Sequence, residues 1–421
     1  MGSRYYTLLT AYLTSSLGNW LYRLALPLLV LKLTGSALST GAVYAVEYIP
    51  FLLLSLPGGV FADRFDRRRL LIFGDMTAAV IATALAVVVS TGSTALWPIY
   101  LTAFLLACVE PVYHPAFQSF LPEVVPADRL GPANSWMHSG DNVMSMIGPA
   151  AAGGLVMFLG YQTTIYVNAA TFVVSAIAIL LIRPTAAKGE RTPPPKATFI
   201  QDVRVALRYV FRRNPVLAAG SLMFTGTNFA IWLIQANFIF YLTTYRHMSP
   251  QVIGVVLAAQ GVGAVLGAAV AGRLVQKYPP GRILITTTAV AGLGTLLLIP
   301  ARGPLAIGAI WGALYALGSI NPVAWFTLRQ KIVPRELLGR VVASTRMLAF
   351  ASIPVSALLA GALESAFHNM YLIIVVGGLL RLAIAGVAWL SPLRTPVEGV
   401  IEDEPGTPGT QARTADAEKT S

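Results

Sequence analysis

A chain of 421 residues that is 56% hydrophobic and only 11% charged cannot be an ordinary soluble domain, in which roughly a quarter of residues are charged. Its net charge of +12 falls in a few short segments between apolar runs, with no basic face interleaved by aromatics, so topology control rather than nucleic acid accounts for it. The single cysteine, Cys108, excludes an intramolecular disulfide, a paired-cysteine redox motif and a paired-cysteine zinc site.

The apolar runs predict an all-α integral membrane protein of about twelve spans, at 6–33, 38–62, 70–91, 95–118, 134–158, 162–182, 215–243, 250–272, 283–300, 304–327, 341–366 and 369–391. They do not alternate polar and apolar, which argues against a β-barrel. Arg4 followed by apolar sequence to Leu33, without a small-residue cleavage site, reads as an uncleaved first span. Alternate connections differ sharply in charge. One set carries Arg64, Arg67, Arg68, Arg69, Arg129, Lys188, Arg191, Lys196, Arg212, Arg213, Lys277, Arg282, Lys331, Arg335 and Arg340, whereas the other carries only Lys32, Arg246 and Arg302. The positive-inside rule places the basic set and both termini in the cytoplasm, with the spans in the cell membrane.

In span one, Asn19 and Arg23 share a face by i,i+4 spacing; in span two, Tyr44 and Tyr48 flank Glu47. Counted from the outer ends, Arg23 and Glu47 both lie about 14 Å deep, near the midplane. Each such charge costs ~2.5–3.5 kcal/mol to insert and is expected to face a partner or an aqueous cavity. Two readings follow: a carboxylate walled by aromatics, suited to an organic cation or to proton release, or a permanent structural Glu47–Arg23 pair. Glu110 in span four and Asp141 in span five lie nearer the cytoplasmic side, where they either couple protons or pair with Arg67 and its neighbours. Asp75, at the cytoplasmic end of span three, is assigned to that same loop. The carboxylates thus concentrate in the first half. His114 and His138 have no metal-ligand spacing and read as plain polar residues.

Residues 183–214 form the longest internal polar stretch. From about Phe199 it places Phe199, Val203, Leu207 and Val210 on one face and Arg204, Arg208 and Arg212 elsewhere, predicting a basic amphipathic helix on the cytoplasmic membrane surface. Asn228, Trp232 and Gln235 form an i,i+4,i+7 stripe in span seven, and Asn321 and Trp325 share a face in span ten. Both are expected to line a cavity for an amphiphilic substrate. Tyr22, Trp311 and Trp389 read as interface anchors. From Arg394 the chain loses apolar periodicity and is expected to be a disordered tail. The organisation is therefore a first bundle at 1–182, a linker at 183–214, a second bundle at 215–391 and a tail at 392–421.

The two halves repeat. The stretch Val125 to Gly131 recurs as Val333 to Gly339, 208 positions on; Gly59 corresponds to Gly272, 213 on, and Pro149 to Pro354, 205 on. Three landmarks at nearly one spacing argue for a duplicated six-helix unit, and parallel repeats with a site at their interface are a transporter signature.

Between spans two and three the sequence reads Gly59-Val-Phe-Ala-Asp63-Arg64-Phe-Asp66-Arg67-Arg68. It resembles the signature loop of the major facilitator superfamily, Gly-x-Leu-Ala-Asp-Arg-x-Gly-Arg-Arg, departing at Phe61 and at Asp66; the second-half copy has Gln276 in place of the aspartate. The resemblance implies a conformational latch made by Gly59, Asp63, Arg64, Arg67 and Arg68, with Asp63 against the start of span eleven. Span five carries Gly148-Pro149 and Gly153-Gly154, similar to the antiporter motif of drug exporters but with one more intervening residue. By that resemblance its partner is span eight, at Gly263 and Gly267. Further pieces, Leu31 to Ser36, Leu121-Pro122-Glu123, Ala133-Asn134-Ser135 and Gln330 to Arg340, resemble the macrolide and siderophore exporter branch.

These resemblances imply a secondary active transporter that exports a small amphiphilic compound, drug-, macrolide- or siderophore-like, by alternating access, with protons as coupling ion and the bilayer as its surroundings. Import or lipid movement on the same fold, or a non-transporting membrane sensor, are the alternatives. A sensor would carry an elaborated soluble domain or long loop. No nucleotide-binding loop, nucleophile–base pair or metal cluster is present in the sequence, so neither ATP nor a cofactor is expected, and an enzyme is not indicated.

Overall fold

The computed structural model describes residues 2–92, 94–182 and 199–395, and within these the side chains at 55–64, 127, 138, 199–202 and 335–336 lie outside the description. The first part of the linker and the tail beyond residue 395 lie outside it as well. The described chain is helical and shows no strand. The helices are α1 (Ser3–Thr34), α2 (Ala37–Arg64), α3 (Arg67–Ser90), α4 (Leu96–Ala107), α5 (Glu110–Val124), α6 (Leu130–Leu181), α7 (Phe199–Arg208), α8 (Pro215–Phe240), α9 (Pro250–Lys277), α10 (Pro280–Leu296), α11 (Gly303–Ile332), α12 (Arg335–Phe367) and α13 (Met370–Trp389).

Twelve spans emerge once two breaks are read physically. The fourth span is α4 and α5 together, interrupted just before Pro111, which has no N–H to continue the ladder. Conversely, α6 is two spans joined at Gly160, whose φ of 80° is outside the helical range and turns the chain back. The other ends are set by their own sequence. Gly35 closes α1 in the left-handed conformation (φ 63°), with its N–H on the Leu31 carbonyl. Asn214 caps α8 and Asn369 caps α13, each accepting from the amide three residues on. Phe73, Leu305 and Val387 are among many large apolar side chains left exposed around the outside, as a lipid-facing girdle requires.

The spans form two six-helix bundles. In the first, α1 and α3 pack on α6 and α5 packs on α2; in the second, α11 packs on α9, α10 on α13 and α12 on α8. The bundles meet along α2–α12 and α6–α9. One face of the molecule holds the basic connections after α2, before α6 and before α8. The opposite, far face holds Lys32, Arg246 and Arg302. Arg246 serves the fold there. It donates to the Leu298 and Ile299 carbonyls (2.9 and 3.0 Å), which the unravelled end of α10 leaves open.

Towards the far face one apolar core runs through both bundles, joining Leu21, Leu24 and Val156 to Leu233, Ile253 and Trp311. The cores nearer the basic face each belong to one bundle. Glycine makes the close approach possible. A Cβ on Gly153 would meet the Pro250 carbonyl oxygen at 2.5 Å, and one on Gly254 would meet that of Pro149 at 2.5 Å. Gly41 of α2 lies likewise against the Ala357 carbonyl of α12. The far side of the interface is closed.

Trp311 and Tyr22, expected as interface anchors, are buried: Trp311 stacks on Phe238 (3.6 Å) and donates to Gln260 (3.3 Å). Trp389 is exposed, as an anchor would be. From Phe199 the linker is helical; Ala206 and Val210 pack into the second bundle's core, while Arg204, Arg208 and Arg212 face outward.

Candidate functional site

At mid-depth the two bundles face each other across a polar and aromatic cluster. The first contributes Arg23 from α1, Glu47 from α2 and Glu110 from the start of α5. Arg23 pairs with Glu110 (3.7 Å), not with Glu47, and both side chains of that pair face open space. The Arg23 guanidinium also lies 5.9 Å from the Trp20 ring. Glu47 stands beside the Tyr22 hydroxyl; its Oε1 and that hydroxyl are buried against each other, and neither has a partner from the rest of the described chain. Asn19 is half-buried one turn before Arg23.

The second bundle supplies the facing wall. Trp232 of α8 meets the Tyr48 ring at 4.9 Å and the Tyr44 ring at 5.7 Å, both edge-on, so these rings from α2 and α8 interlock across the interface. Gln235, one turn on, accepts from the Tyr315 hydroxyl of α11. Below them Phe350 of α12 packs on Phe51 (5.1 Å), and the Arg346 guanidinium covers both rings at 5.5 and 5.1 Å. A cation, two carboxylates and a band of aromatics thus surround one mid-depth space shared by two bodies. Such a site can hold an amphiphile and can change its charge by protonation.

Several expected members sit elsewhere. Trp325 is 2% exposed, stacked on Phe224 and filling the space that Gly220 leaves; Asn321 accepts from Thr287 of α10 (2.5 Å). Both belong to the second bundle's core, not to a cavity wall. Asn228 donates to Phe224 within its own helix. Asp141 accepts from Tyr12 (2.9 Å), near the basic face. Glu110 does not reach Arg67, whose partners are Glu123 (2.8 Å) and the Ser119 carbonyl. Asp75, 1% exposed, accepts from Ser175 (2.7 Å) and Tyr113 (3.2 Å) between α3, α5 and α6, away from the loop.

In the loop itself the side chains of Gly59, Asp63 and Arg64 lie outside the description. Arg68 donates to the Ile179 and Leu180 carbonyls, where the negative end of α6 favours a cation. Asp66, where the signature has glycine, caps α3 by accepting the Arg69 amide (3.0 Å). In α6, Gly148 packs on Trp20, Pro149 and Gly153 meet Gly254 and Pro250 of α9, and Gly154 meets nothing within 4 Å. Gly263 and Gly267 instead abut Gly312 and Ala316 of α11, so the α9 glycines that meet α6 are Gly254 and Gly261.

Four contributors are not evident from the sequence pattern: Tyr315, Phe51, Phe350 and the placement of Tyr22. Tyr315 follows Trp311 by four residues, a spacing that puts both on one helix face and is the one available signal.

The chain matches the sequence profile of the Major Facilitator Superfamily over residues 8–344 and again over 223–415. It is 30% identical over 374 residues to the multidrug efflux pump Tap of Mycolicibacterium fortuitum, covering 85% of this chain and 88% of that protein. It is 23% identical over 365 residues to macrolide efflux protein A of Streptococcus pyogenes (85% and 88% covered). To the uncharacterized MFS-type transporter YfiS of Bacillus subtilis (strain 168) it is 28% identical over 269 residues, and that match spans 63% of either chain. In fold it superimposes on the nucleoside transporter NupG with a TM-score of 0.77 at 12% identity, covering 92% of this chain and 99% of that one. A bacterial homologue of the lysosomal transporter Spinster gives 0.74 at 14% identity, with 92% and 95% covered.

Proposed function

This chain belongs to the major facilitator superfamily, and we propose that within it the protein is a proton-coupled exporter of small amphiphilic compounds. Its two bundles rock about the mid-depth site, with the basic face in the cytoplasm of a cell whose membrane it spans. The observation that carries this reading is the opposition of the Arg23–Glu110 pair and the buried Glu47 carboxylate, which has no salt-bridge partner among the described residues, to the aromatic wall at Trp232. The efflux pumps among its relatives support the direction of transport.

In this reading Glu47 carries the proton. When the far side opens, Glu47 takes a proton from outside and becomes neutral, leaving Arg23 to Glu110, as in the far-closed arrangement. When the proton leaves Glu47 to the cytoplasm, the new carboxylate competes with Glu110 for Arg23, and the cavity's charge changes where an amphiphile lies against Tyr44, Tyr48 and Trp232. The fold's latch loop and the α6 glycines set which side is open.

Flux of a panel of amphiphilic drugs into inverted vesicles, with and without an imposed pH gradient, tests this. Gradient-dependent uptake is expected for the parent protein and its loss for Glu47→Gln. Gradient-driven flux unchanged by that substitution removes Glu47 from coupling, and no gradient-dependent flux for any compound overturns the exporter reading.

A further inference from the structure

At the far face, α2 begins beside the end of α12. The first turn of α2 is only partly capped: Ser36 Oγ accepts the Ser39 amide (3.2 Å) and the Ser36 carbonyl accepts that of Thr40 (3.1 Å). The Ala37 and Leu38 amides have no hydrogen-bond partner among the described residues. An open helix start of this kind carries partial positive charge.

Opposite it stands Gly361 of α12. A Cβ there would lie 2.6 Å from Leu38 Cα, 3.0 Å from its nitrogen and 3.1 Å from the Ala37 carbonyl oxygen, so the helices touch backbone to backbone. One turn further along the same face of α12 comes Glu364. It is 6% exposed and lines one cavity of about 520 Å³ together with Gly35 and Ser36, the residues that lead into α2. Its carboxylate is held in place: the Tyr245 hydroxyl donates to Glu364 Oε1 (3.2 Å) and itself accepts the Met370 amide (3.1 Å).

The nearby cations are engaged elsewhere. Lys32 lies over the Tyr161 ring (5.3 Å), and Arg246 is bound to Tyr241 and the Leu298 carbonyl (2.7 and 2.9 Å). Glu364 forms no salt bridge among the described residues. His368 also lines this cavity, and the fixed positive charge that faces Glu364 there is the start of α2.

We propose that Glu364 is a positioning residue of the far gate: oriented by Tyr245, its carboxylate holds the N-terminus of α2 against α12 while the far face is closed. The chain's internal symmetry makes sense of this. On the basic face the resemblance puts Asp63, at the end of α2, against the start of α12. On the far face Glu364, at the end of α12, meets the start of α2. The same two antiparallel helices are thus tied by an acid at either end, and each tie closes one side. The inference rests on alternating access, not on the identity of the substrate or the coupling ion.

Its test reads the gate rather than flux, so its failure is distinct from failure of the exporter reading. Full-length protein with Cys108→Ala, spin-labelled at Thr91 and Phe367 and reconstituted in nanodiscs, reports far-face distances across the bundles by pulsed paramagnetic resonance. Glu364→Gln and Glu364→Ala are each expected to raise the far-open population on the order of three- to fivefold. Ser36→Asp is expected to open the gate when Glu364 is present, because two carboxylates then meet. Combined with Glu364→Gln it should have little further effect, since the new carboxylate caps α2 itself. If Glu364→Ala fails to fold, the isosteric Glu364→Gln carries the test. A distance distribution unchanged by Glu364→Gln, or an effect of Ser36→Asp that ignores residue 364, overturns the proposal.

Discussion

Replacing Gly153 with alanine should open the far side, and the structure supplies the size of the effect. A Cβ at 153 would lie 2.5 Å from the Pro250 carbonyl oxygen and 3.1 Å from Gly254 Cα, both backbone atoms that no rotamer change can remove. A relaxed carbon–oxygen contact needs about 3.3 Å, so α6 and α9 must separate by close to 1 Å where they now touch. Overpacking of this kind costs about 1–3 kcal/mol, which at 1.4 kcal/mol per tenfold shifts the closed-to-open ratio by roughly five- to a hundredfold. Gly154→Ala is the matched control, because nothing lies within 4 Å of its Cβ position and both substitutions gain the same helix propensity. Spin labels at Leu159 and Leu305, exposed near the far ends of the two bundles, read the separation directly. Gly153→Ala is expected to populate longer distances while Gly154→Ala matches the parent. If the two variants give the same distribution, the glycine contact is not what holds the far side shut.

Three further outcomes follow from the same contacts. Trp232→Ala removes the ring that Tyr44 and Tyr48 meet edge-on; a substrate ring that makes two like contacts there, at about 0.5–1.5 kcal/mol each, would lose them, so KM for an aromatic amphiphile should rise roughly five- to a hundredfold in vesicle flux, with Trp232→Phe recovering most of it. Trp325→Ala empties a core position at a cost of about 3–5 kcal/mol; thermal melting in detergent should fall sharply while the ranking of transported compounds stays the same, and a changed ranking would return Trp325 to the cavity. Arg68→Ala leaves two carbonyls at the end of α6 without their charged donor and should cost about 1.5–3 kcal/mol, with Arg68→Lys recovering part of it; an unchanged melting temperature for Arg68→Ala would contradict the capping role.

What the sequence made legible was whatever depends on position along a helix. Length and apolarity located the spans, and depth put Arg23 and Glu47 at the same level. Which neighbour a residue meets depends on helix rotation and on which helices adjoin, and neither follows from depth. Arg23 therefore meets Glu110 on the fourth span, although Glu47 lies at equal depth on the second. Asn321 and Trp325 show the same limit from the other side. A polar or aromatic stripe in a membrane bundle can face a neighbouring helix as readily as a cavity, and here Thr287 and Gly220 receive it. Asp66 reads as a departure from the signature only while the loop is treated as a pattern; as the cap of α3 it is ordinary helix chemistry. Glu364 is inconspicuous in the sequence because it lies near a span end, where an acid is unremarkable by composition alone.

The unequal distribution of carboxylates gives the two bundles different roles. Between residues 215 and 391 the only acids are Glu336 and Glu364, near the two ends of α12, whereas Glu47, Asp75, Glu110 and Asp141 lie within spans of the first bundle. The buried cations of the second bundle are held by groups that do not compete for protons at neutral pH. Arg381 donates to Thr295 (3.3 Å), and Arg329 donates to Thr345 (3.0 Å) and lies over the Trp325 ring (5.0 Å). At mid-depth the second bundle is therefore a wall of constant charge, and in the proposed cycle a proton can alter only the first. That change is made where it can be transmitted. Glu47 stands between Tyr44 and Tyr48 on α2, and those two rings are the ones that grip Trp232 of the opposing bundle. A shift of α2 by a fraction of a turn, following a change of charge at Glu47, would disturb that grip together with the contacts of Tyr48 and Phe51 to Phe350. The same helix begins at the far gate beside Gly361 and ends in the signature loop. In the proposed cycle α2 carries Glu47, the two rings that meet Trp232 and the far-gate contact at Gly361, so one helix would link proton, substrate and gate.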